Sequence, residues 1–132
     1  MNGGNEKKEQ KKAFLQSYQA LGFSIKTLGD LLIRLEEEQN QMPSVLQENS
    51  GTDLVMEMKD IFSSFRKQME EKNEICKMIQ KNVSQMDSEL EKNILLLKYI
   101  SGYTWEEISE ITNYSLRQVY NIHNHALNHF TM

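Results

Sequence analysis

Residues 103–130 read YTWEEISEITNYSLRQVYNIHNHALNHF, and this stretch decides the fold of the C-terminal part of the chain. Thr104 and Ser115 each precede a run of apolar residues at helical spacing, and each is followed three positions later by Glu or Gln. This pattern is typical of a capping box, in which a hydroxyl and a Glu or Gln side chain both bond to backbone amides of the first helical turn. It predicts a short helix over Trp105–Thr112 and the start of a further helix near residue 115.

A very short segment separates these two predicted helices. It contains Asn113, and Asn adopts positive φ more readily than other residues with a side chain. Two short helices joined by so tight a turn predict a helix-turn-helix. A third pair of capping residues, Ser88 and Glu91, predicts the start of a further helix near residue 88, and Gly102 is suited to close that helix.

The last predicted helix has two different sides when its residues are placed at steps of about 100°. The apolar side is expected to face the core and consists of Val119, Ile122, Ala126 and Phe130. The other side carries amides, an arginine and imidazoles, and residues 115–132 contain no Asp or Glu. Such groups pair with base edges and phosphates in DNA. The candidate DNA-binding residues are therefore Ser115, Arg117, Gln118, Tyr120, Asn121, Asn124, His125 and Asn128.

Two long segments with apolar residues at alternating steps of three and four precede this region. The first seam consists of Phe14, Tyr18, Leu21, Ile25, Leu28, Leu32 and Leu35, and the second of Val55, Met58, Phe62, Phe65, Met69, Cys76, Ile79, Val83 and Met86. Such seams are typical of coiled-coil helices, here of about 30 residues or roughly 45 Å each. The polar stretch 41–52, with Pro43 and Gly51, is predicted to form the turn of a helical hairpin. Gly22 and Gly29 either allow close backbone approach or simply weaken the first helix, by about 1 kcal/mol each.

The sequence therefore predicts an all-α protein of two domains. Residues 1–86 would form a long, coiled-coil-like helical hairpin, and residues 87–132 a three-helix domain with the helix-turn-helix. Ile61, Ile75 and Met78 widen the apolar stripe of the second helix, so that the stripe can serve more than one neighbour. We expect the hairpin to form a homodimer or to hold a partner.

Composition narrows the possible functions of this chain of 132 residues, which has a formal net charge of −4 and one Cys. Cys76 cannot form an intrachain disulfide, and no Cys/His group has the spacing of a zinc site. The longest apolar run, residues 94–97, is too short to cross a bilayer, so we expect a cytoplasmic protein without membrane contact. His125 and His129 lie four positions apart but lack a third ligand nearby, and no metal is predicted. Without a Gly-rich phosphate loop or a supported catalytic arrangement, neither an enzyme nor a cofactor is expected.

Four segments resemble a known family when they are taken together. They are Leu95-Leu96-Leu97-Lys98-Tyr99-Ile100, Tyr103-Thr104-Trp105-Glu106-Glu107-Ile108-Ser109, Tyr114-Ser115-Leu116-Arg117-Gln118-Val119 and His125-Ala126-Leu127. Together they resemble the region 4 helix-turn-helix of sigma-70-type factors, in particular the sigma-like domain of phage and prophage late-gene regulators of the ArpU and RinA type. Family members usually have Ala, Leu and Gly where this chain has Ser109, Thr112 and Asn113.

The resemblance implies a sequence-specific transcription regulator that activates phage or prophage late genes together with host RNA polymerase. It also implies that Trp105–Thr112 supports the fold and that Leu116–His129 enters the major groove of double-stranded DNA. Two alternatives stay open at this point. One is a small terminase-type packaging protein, which would form rings, and the other is a protein-interaction or anti-sigma module without DNA binding.

The charge balance of the C-terminal region weighs against tight DNA binding by a monomer. Residues 87–132 hold three Lys or Arg against six Asp or Glu, a net charge of about −3, whereas phosphate neutralisation usually supplies much of the affinity for DNA. Dimerisation or recruitment by RNA polymerase could compensate. The one basic run, with Lys7, Lys8, Lys11 and Lys12, is more typical of a solvated terminus than of phosphate contact.

Overall fold

The computed structural model describes the backbone of residues 2–41 and 44–132, and the side chains of residues 4–41 and 53–132. It contains five helices: α1 (Asn2–Gln41), α2 (Ser44–Ser84), α3 (Glu89–Tyr99), α4 (Trp105–Thr112) and α5 (Leu116–His129). No residue in the described ranges forms a strand. The predicted all-α fold, with a long N-terminal helix pair, is confirmed.

The two N-terminal helices are longer than the sequence pattern suggested. α1 has 40 residues and α2 has 41. Most of the polar stretch 41–52 that was predicted as a turn is helical, because α2 already begins at Ser44. Residues 42 and 43 lie outside the described residues. Polar side chains and one Gly lower helix propensity by only about 1 kcal/mol or less per residue, which a long helix tolerates.

The chain divides into two compact units that do not follow the predicted boundary between residues 86 and 87. Unit 1 combines the chain up to Ala20 with Glu74–Met132, and unit 2 is Leu21–Asn73. The division differs because the N-terminal part of α1 and the C-terminal part of α2 contribute to the same core as α3 and α5. Leu15 and Ile79, from α1 and α2, are fully buried in one cluster with Leu95 of α3 and Phe130.

Unit 1 has two groups of buried side chains. The larger one also includes Val83, Tyr99, Ala126 and Leu127, and the Phe14 ring stacks on Phe130 with centroids 6.4 Å apart. Leu15 is absent from the predicted seam and yet is fully buried, because the residues around Phe130 cover its side of α1. The smaller group consists of Ile94, Ile108 and Val119 and anchors α4 and α5 on α3.

Unit 2 consists of the remaining parts of α1 and α2. Gly29 of α1 lies against Phe65 of α2, and Leu35 is buried with 7% exposure. Phe62 and Met69 belong to the predicted seam but are 51% and 44% exposed, so this part of the prediction is wrong. In a pair of helices, each helix covers only part of the other's apolar stripe, so side chains at the edge of that stripe stay exposed to water.

The predicted helix starts are all present, but one capping box is incomplete. Thr104 with Glu107 and Ser115 with Gln118 form full boxes. Ser88 accepts a hydrogen bond from the Glu91 amide, whereas the Glu91 carboxylate turns away to His129, so only half of the predicted box forms. Asn113 has φ of 60° and Gly102 has φ of 79°, as expected for residues that end helices.

Candidate nucleic-acid interface

α5 is held in place from both its ends and along its inner side. The Ser115 hydroxyl accepts from the Gln118 amide at 3.2 Å, and Gln118 Oε1 accepts from the Ser115 amide at 2.9 Å. At the other end, Lys11 Nζ of α1 donates to the carbonyl oxygen of Leu127 at 2.8 Å. Since the last carbonyls of a helix lack partners within the helix, this lysine acts as a cap supplied by another element.

The outer side of α5 is accessible in the structure. The eight predicted DNA-binding residues are all exposed: Ser115, Arg117, Gln118, Tyr120, Asn121, Asn124, His125 and Asn128. The structure therefore places them on one helix, with the polar side outward and with Val119, Ala126 and Leu127 buried beneath them. The predicted core residue Ile122 is only partly buried at the edge of the smaller cluster.

The exposed side chains differ in how much hydrogen-bonding capacity remains for a ligand. Ser115 and Gln118 already use one oxygen each in the capping box. The side chains of Arg117, Asn121 and Asn124 make no hydrogen bond or ion pair with any described residue. These three therefore offer guanidinium and amide groups at no cost in internal contacts.

Trp105 and Tyr120 border this surface. Their rings meet edge to face, with centroids 5.4 Å apart, and Lys98 Nζ of α3 lies 4.6 Å from the centre of the Trp105 ring. Trp105 is half-buried, in agreement with a mainly structural role beside Ile108. The spacing of apolar residues in α4 favours the same side for Trp105, Ile108 and Ile111, yet Ile111 is 52% exposed.

His123 is a buried residue that the sequence analysis did not single out. It is 5% exposed, shares a hydrogen bond of 2.6 Å between its Nε2 and Tyr99 Oη, and meets the Trp105 ring at 4.6 Å. Its position between Val119 and Leu127 on the helical wheel is the signal that could have revealed it. Burial, reinforced by the charges of Lys12, Lys98 and Lys8, lowers the pKa of His123 to about 4.

Tyr99 is also kept uncharged. Burial, together with the negative charge of Glu9, raises the pKa of Tyr99 to about 12. The Tyr99–His123 pair is thus neutral at physiological pH, and it joins α3 to α5 directly behind the exposed face. The pair therefore fixes the orientation of α5 relative to α3.

The basic run of α1 lies beside α5 rather than apart from the fold. Lys11 caps α5. Burial and the charges of Lys7 and Lys8 lower the pKa of Lys11. Lys12 lines the same cleft as Lys98 and Asn124. The folded unit also changes the charge balance. Unit 1 contains nine Lys or Arg and nine Asp or Glu, so its net charge is zero and the whole net charge of −4 belongs to unit 2.

The two histidines at helical spacing have different surroundings. His125 is exposed, whereas His129 Nδ1 lies 2.8 and 2.9 Å from the two carboxylate oxygens of Glu91. Across the described residues, no group of three or more His, Cys, Asp or Glu side chains is arranged to hold a metal ion. His129 therefore serves as the partner of a buried carboxylate.

Comparisons with protein-family models, with curated proteins and with solved structures find no match to this chain. No helix in the described ranges combines the length and the apolar character needed to cross a bilayer.

Proposed function

We propose that this chain is a sequence-specific DNA-binding protein and that α5 reads the major groove. The observation that carries the proposal is the outer side of α5, where Arg117, Asn121 and Asn124 are exposed, lack partners among the described residues and have no acid on their helix. A helix with these groups fits the width of the major groove.

The side chains on this surface suit particular contacts. Asn amides can pair with the N6 and N7 atoms of adenine, and Arg can pair with O6 and N7 of guanine. The capped N-terminus of α5 can approach a phosphate through its amides. We therefore assign base contacts to Arg117, Asn121 and Asn124, and phosphate contacts to Ser115 and Gln118 at the start of the helix. The remaining predicted residues, Tyr120, His125 and Asn128, would line the edges of the groove.

Selection from a random duplex library followed by a mobility-shift titration tests this proposal. The purified chain should enrich a defined sequence, and Arg117→Ala with Asn121→Ala should abolish the preference for it while the melting temperature stays unchanged. The matched control is Lys77→Ala with Asn93→Ala, which removes the same kinds of group from exposed positions of α2 and α3. No enrichment by a folded protein would favour the protein-interaction alternative.

We further propose that the chain regulates transcription of phage or prophage late genes in the cytoplasm, together with bacterial RNA polymerase. This step rests on the resemblance of the four quoted segments to the ArpU and RinA type. Run-off transcription from a template that carries the selected sequence should increase when the chain is added to purified RNA polymerase. An unchanged or reduced yield would contradict activation.

We also propose that the chain forms a homodimer through its N-terminal helices. Unit 2 leaves large apolar side chains in water, with Phe23 76%, Met56 60% and Ile33 57% exposed, and covering them would be favourable. Sedimentation equilibrium at micromolar concentration should give twice the mass of 15.5 kDa. A ring of many subunits would instead support the packaging alternative, and a monomer would overturn the dimer.

A further inference from the structure

The structure brings together basic residues that lie far apart in the sequence. Lys12 and Gln16 of α1, Lys98 of α3, and Tyr120 and Asn124 of α5 line one cleft of about 420 Å³ in unit 1. Trp105 forms part of its wall beneath the Lys98 ammonium. The cleft borders the exposed side of α5, because Tyr120 and Asn124 belong to both.

We propose that this cleft binds a phosphate group through Lys12 and Lys98, and that in the complex this is a DNA backbone phosphate next to the bases contacted by α5. The inference rests on the proposed DNA binding and adds to it a contact outside the helix-turn-helix. A phosphate in the cleft would face the two ammonium groups and the amide of Gln16, all of which can donate hydrogen bonds to its oxygens.

The electrostatics of the surrounding residues support a positive cleft. Burial and the charges of Lys12, Lys98 and Lys8 lower the pKa of His123, which lines the same cleft as Lys12 and Lys98. Glu9 is the carboxylate that acts on neighbouring Tyr99, and it offsets part of this charge. Lys98 donates to the Tyr103 carbonyl oxygen at 3.5 Å, a long bond that a phosphate could replace.

The test uses the complete chain with Lys12→Gln and Lys98→Gln combined. Removal of two phosphate contacts should weaken binding to the selected duplex roughly tenfold per lysine at about 0.1 M salt, and equally for duplexes of unrelated sequence. The slope of log Kd against log salt should fall by about 0.9 per lysine. Lys77→Gln with Lys81→Gln, at two exposed positions of α2, is the charge-matched control and should leave both quantities unchanged.

Trp105 is the one tryptophan of the chain and reports directly on the cleft. Its fluorescence should change when inorganic phosphate or duplex is added to the wild-type chain. In the double variant, phosphate should no longer change it, and duplex should do so only at higher concentration, in line with the weaker binding. Replacement of the same lysines by Arg should restore both the fluorescence response and the salt slope. Circular dichroism melting confirms that each variant is folded.

The outcomes separate this inference from the proposed function. If the double variant binds duplex with the wild-type affinity and salt slope, the phosphate site is overturned while DNA binding stands. If phosphate alters Trp105 fluorescence but no duplex binds, the cleft takes a free anion, and DNA binding together with the backbone-phosphate assignment is overturned. If phosphate leaves Trp105 fluorescence unchanged and no duplex binds the folded wild-type chain in the mobility-shift titration, both are overturned.

Discussion

His123 sits inside unit 1 as an uncharged imidazole. Its ring contacts Tyr99 and Trp105, and three lysines raise the local potential around it. A positive charge placed there would lose hydration and meet like charges, so protonation opposes folding. The position of one residue thereby links the stability of the helix-turn-helix to pH.

We expect the free energy of unfolding to fall as the pH is lowered from 7 to 5. The folded pKa of His123, about 4, lies below the value of 6.5 for an unperturbed His, so within this window the unfolded chain binds a proton that the folded chain does not. The stability is complete above pH 7, decreases as the pH falls below 6.5, and the loss is about 2 kcal/mol at pH 5. Urea titrations at the two pH values measure it.

A pair of variants separates His123 from other groups that titrate. Tyr99→Phe with His123→Leu removes both buried polar groups and should flatten the pH dependence. His125→Gln changes an exposed histidine of the same helix and should leave it intact. An equally steep decrease in both variants would show that carboxylates, rather than His123, cause it.

The sequence allows two explanations for Gly29: it permits close approach of another backbone, or it simply weakens the helix. A Cβ added to Gly29 would lie 3.6 Å from Phe65 Cε2, which is an ordinary contact, so close backbone approach does not require glycine there. Gly29→Ala should therefore stabilise the chain by about 1 kcal/mol through helix propensity. Gly102→Ala, at φ of 79°, should instead destabilise it by about 1 kcal/mol. Chemical denaturation checks both signs, and a destabilising Gly29→Ala would contradict the argument.

At the scale of single elements, local sequence signals predicted where α4 and α5 begin, because each helix carries its own start signal in Thr104 and Ser115. The same signals placed the polar side of α5 outward. They could not show that Lys12 and Lys98 line the same cleft, because that arrangement depends on how α1 packs against α3 and α5. The burial of Leu15 was not predicted for the same reason, because it depends on Phe130, which is distant in sequence.

Two isoleucines of α4 provide a test of how that short helix is anchored. Ile108 is fully buried, whereas Ile111 is 52% exposed. Ile108→Ala should destabilise unit 1 by about 2 to 5 kcal/mol, since it leaves a cavity between α3 and α5. Ile111→Ala removes the same atoms from the surface and should cost well under 1 kcal/mol. Thermal denaturation followed by circular dichroism measures the difference, and similar losses would show that α4 is rotated relative to the structure.

At the scale of the whole molecule, the helix-turn-helix region shares its core with the two N-terminal helices. Leu15, Ile79 and Val83 fill the same cluster as Leu95 and Phe130. The assignment of separate functions to residues 1–86 and 87–132 stays a prediction. The buried core, in contrast, contains side chains from both ranges. The charge balance also depends on both parts, because residues 1–20 carry a net charge of +2 and residues 74–86 one of +1, which together offset the −3 of residues 87–132.

We therefore expect the fragment 87–132 to be largely unfolded when it is expressed alone. Its core would lack the side chains of Leu15, Ile79 and Val83 and would expose Phe130 and Leu95 to water. The amide proton dispersion of the fragment in NMR spectra reports this, and mixing it with a peptide of residues 4–20 and a peptide of residues 74–86 should increase the dispersion. A well-dispersed spectrum of the fragment alone would show an autonomous domain.

Because residues up to Ala20 pack in the same core as α5, unit 1 can complete its core only after α5 has been synthesised. Phe130 is synthesised 115 residues after Leu15, so Leu15 has no partner from this cluster's C-terminal side until then. Contacts between segments so distant in sequence raise the contact order and slow folding relative to helical proteins built from neighbouring hairpins. Until Phe130 has been made, the apolar side of α1 can be covered only by segments that precede it, and transiently exposed apolar surface of this kind favours aggregation.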